Sequence, residues 1–103
     1  IMKEEPFGPL VPILTFKNFD EVIERANDND LGLCSYLYTN SMDKAHIGSE
    51  KLESGCVAVN TGVVALAEAP FGGIKQTGYG REGGSGAIKD YLNVKYTHMG
   101  LKI

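Results

Sequence analysis

Residues 33–60 read LCSYLYTNSMDKAHIGSEKLESGCVAVN. The first seven are mostly β-formers. Leu33, Ser35, Leu37 and Thr39 alternate with Cys34, Tyr36 and Tyr38, so both faces of a strand over 33–39 are largely covered. Ser41 then offers an N-cap for a helix over about 42–53. Met42, Ala45, Ser49 and Leu52 share one side of that helix, Gly48 weakens it, and Gly55 stops it as a C′ residue. Cys56–Asn60 is a second short strand with the apolar run of a buried position. Strand, helix and strand at this spacing predict a parallel pair joined by a right-handed crossover.

The same alternation extends upstream. Leu10–Phe16 (LVPILTF) is an apolar run that predicts a strand, with Pro12 placing it near an edge. Asn18 can cap a helix, and Glu21 three residues later completes a capping box. Phe19, Val22, Ile23 and Ala26 fall on one helical face, and Asn27-Asp28-Asn29-Asp30 with Gly32 ends it. The expected fold is therefore α/β, a βαβαβ parallel-sheet unit. In such sheets ligands bind beyond the carboxyl ends of the strands, and the segment after Asn60 leaves from that edge.

Downstream, residues 70–84 (PFGGIKQTGYGREGG) hold six of the 13 glycines. Glycine is kept in folded chains where φ must be positive or where something approaches the main chain closely, so this loop is expected to help form a site. Ser85 can cap a short helix over about 86–92. Residues 93–101 alternate Val94, Tyr96 and His98 with Lys95, Thr97 and Met99, a strand pattern whose partner must lie elsewhere in the protein or on a second subunit.

The bulk numbers narrow the function. A chain of 103 residues is at most one small domain. The net charge of −3, with ten basic residues scattered singly, argues against nucleic acid as a partner. No apolar run reaches membrane-spanning length. Cys34 and Cys56 lie in apolar runs and read as buried reduced thiols, in keeping with a reducing compartment such as the cytoplasm. Because Met2 follows Ile1, the sequence reads as a piece of a longer protein or as an engineered chain.

Three stretches offer candidate chemistry. Gly78–Gly83 matches G-x-G-x-x-G, but no convincing strand precedes it and no acidic ribose ligand can follow in the remaining chain, so the match is assigned to chance. Neither cysteine has an evident activating base, His46 and His98 have no evident relation to them, and no His/Cys/Asp cluster has metal-ligand spacing. In Lys3-Glu4-Glu5-Pro6-Phe7-Gly8-Pro9 two acids precede a rigid turn. It reads either as a solvated charge pair or as a carboxylate held to accept hydrogen bonds from ligand hydroxyls beside an aromatic surface.

Taken together, Glu4-Glu5-x-Phe7-Gly8-Pro9, Asn27 before Leu31-Gly32-Leu33, Val59-Asn60, and Pro70-Phe71-Gly72-Gly73-x-Lys75-x-x-Gly78-x-Gly80-Arg81-Glu82 resemble the C-terminal part of an aldehyde dehydrogenase, in order and over essentially the whole chain. Thr61-Gly62-Val63-Val64, Gly80-Arg81-Glu82-Gly83 and Asp90-Tyr91-Leu92-x-x-Lys95-Tyr96 are similar to the succinate-semialdehyde dehydrogenase branch. The resemblance implies that residues 1–92 belong to a catalytic domain and that residues 93–103 form a terminal oligomerisation strand. It implies NAD or NADP as cofactor, with Glu5 on the nicotinamide ribose hydroxyls and Phe7 packed by the nicotinamide. It places Phe71, Val63 and Ala65 along the substrate wall.

The implied reaction converts a small aldehyde, succinate semialdehyde or a similar one, to its acid. A cysteine thiolate adds to the carbonyl, hydride leaves for the cofactor, and a glutamate-activated water hydrolyses the thioester. The nucleophilic cysteine and general-base glutamate lie upstream in the family, and neither Cys34 nor Cys56 matches that cysteine, so the chain alone is expected to be inactive. Ala65 stands where succinate-semialdehyde enzymes often have serine. The expected partners are the aldehyde, the rest of its own polypeptide, and further copies in a homodimer or homotetramer. The alternative is a non-enzymatic module that binds a partner through its final strand.

Overall fold

The computed structural model describes residues 4–102. Helix α1 spans Phe19–Asn27, and α2 spans Met42–Lys51. Strand β1 is Leu31–Gly32, β2 is Cys34–Leu37, β3 is Cys56–Val59 and β4 is Ile74–Lys75. A single 3-10 turn follows at Ala87–Tyr91.

The two helices start where side-chain chemistry places them. Asn18 Oδ1 accepts the Glu21 amide at 2.9 Å, and the Glu21 carboxylate reaches back to the Lys17 amide, one residue before the cap. Ser41 Oγ accepts the Lys44 amide at 3.3 Å. Both pairs quench amide donors that the first helical turn leaves open.

β2 and β3 form the expected parallel pair, in register Cys34↔Cys56 through Leu37↔Val59. α2 crosses between them and packs on the Leu37 side. There Gly48 is buried, and a Cβ on it would meet Leu37 and Phe19 of α1. Gly48 is thus the contact point of α1, α2 and β2. Its place in the helix is explained by the space its neighbours leave, not by propensity. The face predicted for α2 is partly corrected, since Ala45 and Leu52 are covered whereas Met42 and Ser49 are exposed.

Several expectations are revised. There is no three-stranded parallel sheet among the described residues. The parallel pair stands beside a separate antiparallel pair of β1 with β4, Leu31↔Lys75 and Gly32↔Ile74. Leu10–Phe16 is not a strand. Pro9 and Pro12 lack amide donors, no neighbour pairs with the segment, and Val11 and Ile13 are 82% and 85% exposed. Residues 93–101 pair with no edge among the described residues and Val94 is fully exposed, while the partner expected from the sequence lies outside this unit. The predicted helix over 86–92 is the 3-10 turn, entered at Gly86 with no side-chain cap from Ser85.

Helix α2 ends at Lys51, with Leu52 as its C-cap, so Gly55 does not stop it. Gly55 instead carries the tightest backbone approach of the glycines, described below.

The packed body is small. Among the described residues, Ile23 and Ala58 alone of the apolar side chains are buried, at 7% and 4% exposure. The radius of gyration is 19.2 Å, against about 13 Å for a compact chain of about 100 residues. The accessible surface is 8979 Å², against roughly 5,700 Å² for a compact monomer of this mass. Phe7, Val11, Ile13, Tyr91, Val94, Tyr96, Met99 and Leu101 account for much of the exposed apolar surface.

Candidate functional site

The connection that follows β3 begins with a strained residue. Asn60 takes φ 56°, which is uncommon for a residue with a side chain. Its amide side chain closes a ring with Thr39, Oδ1 accepting the Thr39 amide at 2.9 Å and Nδ2 donating to the Thr39 carbonyl at 2.9 Å. Asn60 N donates to Leu37 O at 2.8 Å. The end of β3 is therefore pinned to the end of β2, and the turn into residues 61–69 leaves from a fixed point.

Phe71 is held at the far end of that connection. Its amide and carbonyl exchange two hydrogen bonds with Glu82, both 2.7 Å. Gly84 N donates to Ala67 O at 2.9 Å, and Gly83 and Gly84 take φ 65° and 64°, a reversal that residues with a Cβ adopt only under strain. Arg81 fastens the loop from inside. Its guanidinium donates to Gly73 O at 2.6 Å and to Gly80 O at 3.0 Å, while its own amide donates to Asp90 Oδ2 at 3.0 Å. Phe71 is half-buried, Val63 is 58% exposed and Ala65 is exposed. Val63, Ala65 and Phe71 thus share one connection.

Glu5 and Phe7 lie on a separate segment. Phe7 N donates to Glu5 O at 2.9 Å, a tight turn centred on Pro6, and the Phe7 ring is 97% exposed. Among the described residues no hydrogen bond joins positions 4–14 to positions 60–84. The segment is anchored further along, where Arg25 Nη1 donates to Thr15 O at 2.8 Å.

Anchors without an assigned role in the sequence reading prove central to the scaffold. Lys75, at φ 55°, donates from Nζ to Asn27 O at 2.9 Å and Asn29 O at 3.0 Å and pairs with Glu53. Its charge sits at the carbonyl end of α1, where the helix dipole favours a cation. Asn27, expected only to break the helix, is its last residue and a brace to α2. Its side chain donates to Lys51 O at 2.8 Å and accepts Glu53 N at 2.9 Å. No local periodicity signals such contacts, because the partners lie 22 to 48 positions apart.

An open cleft of about 530 Å³ beside this anchor is lined by Asn29, Asp30, Lys75, Gln76, Gly78 and Tyr79, and none of the five predicted site residues lines it. Gly78–Gly83 follows β4 after two intervening residues and leads into no α-helix, so it lacks the strand–turn–helix setting of a dinucleotide loop. Among the described residues no three His, Cys, Asp or Glu side chains gather as a metal site. Cys34 and Cys56 are free and half-buried. Burial, then the neighbouring Cys56 thiol through charge and hydrogen bonding, pushes the Cys34 thiol up.

Two helices with small parallel and antiparallel sheets, and a glycine-rich loop fastened beyond a strand end, define a mixed α/β segment. The aldehyde dehydrogenase family profile matches residues 1–97, and the chain belongs to that family. It is 46% identical over 101 residues to a succinate-semialdehyde dehydrogenase (NADP+) of Escherichia coli, covering 98% of this chain and 21% of that protein. It is 49% identical over 96 residues to a glutarate-semialdehyde dehydrogenase of Pseudomonas putida, covering 93% of this chain and 20% of that protein. Among solved structures it superimposes on the NAD+ complex of an aldehyde dehydrogenase from Bacillus cereus. The TM-score is 0.86 at 46% identity, with 90% of this chain and 19% of that one covered. The chain spans about a fifth of the length of these relatives.

Proposed function

We propose that this chain is the C-terminal segment of an NAD(P)+-dependent semialdehyde dehydrogenase, supplying one cofactor contact, part of the substrate wall and a subunit-contact strand. The observation that carries the reading is its unfinished surface. Semialdehyde dehydrogenases are similar over nearly all of this chain, and the chain exposes the apolar residues of 7–16 and 91–101 that such an enzyme would cover.

In this reading residues 1–92 belong to the catalytic domain and residues 93–103 add a strand to another subunit, giving the partner edge that Val94, Tyr96 and Met99 lack here. The enzyme is cytoplasmic, in accord with its free thiols.

The residues present suit the cofactor. The Glu5 carboxylate is exposed on a turn stiffened by Pro6 and Pro9 and has no hydrogen-bond partner among the described residues, so both oxygens are open to vicinal ribose hydroxyls. The exposed Phe7 ring two positions on offers a flat face beside the nicotinamide. The nicotinamide supplies a hydride acceptor when bound. Val63, Ala65 and Phe71 line the aldehyde's approach with apolar surface, and because Ala65 offers no hydroxyl to a distal carboxylate, a semialdehyde's carboxylate must be held by other groups.

Glu5→Gln in the intact enzyme tests the reading. Loss of a charged double acceptor is worth about 1.5–3 kcal/mol, so the KM for NAD(P)+ should rise roughly 10- to 100-fold. A cofactor KM within about twofold of the parent would remove Glu5 from the site.

A further inference from the structure

Cys34 and Cys56 face each other directly across the parallel pair, as register partners at the first position of β2 and β3. Partners in a parallel ladder point to the same side of the sheet. Leu37 meets Gly48 of α2, so that helix covers the opposite face, and the two thiols lie on the face away from it. Cys56 Sγ donates to Gly72 O at 3.7 Å, which brings its sulfur under the glycine-rich loop and beside Cys34. Both side chains are half-buried, and neither takes part in the proposed reaction.

The arrangement selects among thiol chemistries. Zinc in a structural site takes four ligands, and no third His, Cys, Asp or Glu joins the pair among the described residues. Directly opposed residues keep roughly the 4.7–4.9 Å strand spacing between their Cβ atoms, longer than the 3.5–4.5 Å of a relaxed disulfide. A single atom inserted between the sulfurs bridges that gap without drawing the strands together.

We propose that Cys34 and Cys56 form a vicinal dithiol that chelates trivalent arsenicals across β2 and β3. Arsenic forms one bond to each sulfur and its bond to oxygen breaks. Both thiol protons leave with that oxygen as water, and no electrons are transferred. The third valence of arsenic keeps its organic substituent. The second sulfur–arsenic bond closes within the molecule, at an effective concentration that raises retention by about 10²–10⁴ over a single thiol.

The test uses phenylarsine oxide on the reduced intact protein, read by native mass spectrometry after a challenge with excess monothiol and then with a small dithiol. One adduct per chain should survive the monothiol and leave with the dithiol. Cys34→Ser and Cys56→Ser should each lose at least 100-fold in retention against the monothiol, and each serves as the reference for any other thiol in the protein. Cys34→Ala and Cys56→Ala repeat the comparison should a serine variant misfold. A wild-type protein with no monothiol-resistant adduct overturns the proposal. So does an adduct equally resistant in both variants, or thiols that take up no arsenical yet close to a Cys34–Cys56 disulfide under peroxide.

Discussion

Gly55→Ala should be the most damaging one-methyl change in this chain. A Cβ at Gly55 would stand 2.8 Å from the Gly72 carbonyl carbon and 2.9 Å from Gly73 Cα, with the Gly72 oxygen closer still. All three are backbone atoms, so no rotamer relieves the clash. The chain can respond only by separating the start of β3 from residues 72–73. That motion strains the Gly55 amide's 3.0 Å hydrogen bond to Gly32 O and the Cys56–Gly72 contact. Overpacking of this kind costs about 1–3 kcal/mol. A weakened hydrogen bond adds about 0.5–1.5 kcal/mol, for a total of about 1.5–4.5 kcal/mol. Gly86→Ala is the control, since nothing lies within 4 Å of a Cβ there and its φ of −88° suits alanine. Urea denaturation of the intact protein, with both variants at unchanged m, measures the difference. If Gly55→Ala unfolds within about 0.5 kcal/mol of the parent, the backbone approach does not constrain the fold as argued.

Lys75→Met removes two hydrogen bonds to carbonyls and an ion pair, and because Glu53 is half-exposed the loss should be about 1–2 kcal/mol by the same denaturation. The 103-residue chain alone should melt without a cooperative transition and bind a hydrophobic dye, given its sparse core. A sharp, concentration-independent monomer transition by calorimetry contradicts this. The Cys34 thiol, raised by burial and by Cys56, should be alkylated by a neutral reagent with a pH midpoint above the usual value of about 8.5. Its stabilising contribution is complete at neutral pH and is lost as pH climbs through the raised value. Cys56→Ser should lower that midpoint, and an unchanged midpoint argues against the pairing.

The elements that were legible share one trait, that their signal is local. The Asn18 and Ser41 caps sit within three residues of the amides they quench, and the β2–α2–β3 order follows from periodicity over a few turns. The strand predicted at Leu10–Phe16 carried the right pattern but met no partner edge, and pattern alone pairs nothing. The antiparallel β1–β4 pair went unseen because two residues on each side leave no periodicity to read.

The candidate site divides in the same way. The residue types at Glu5, Phe7, Val63, Ala65 and Phe71, and the motifs around them, were enough to bring family membership within reach, since those motifs depend on order and spacing along the chain. Tertiary structure alone decided how the scaffold is fastened. Lys75 reaching Asn27 across 48 positions, Asn27 bracing α2, Asn60 locked to Thr39 and Arg81 gathering carbonyls of its own loop are contacts between distant segments. The structure also moved Gly55 from a helix stop to a point of backbone contact, and turned two separate cysteines into neighbours. The physical reason is common to all of them. A side chain's chemistry is written in its type, but its partner is chosen by how the chain returns in space, and no spacing rule in the sequence encodes that return.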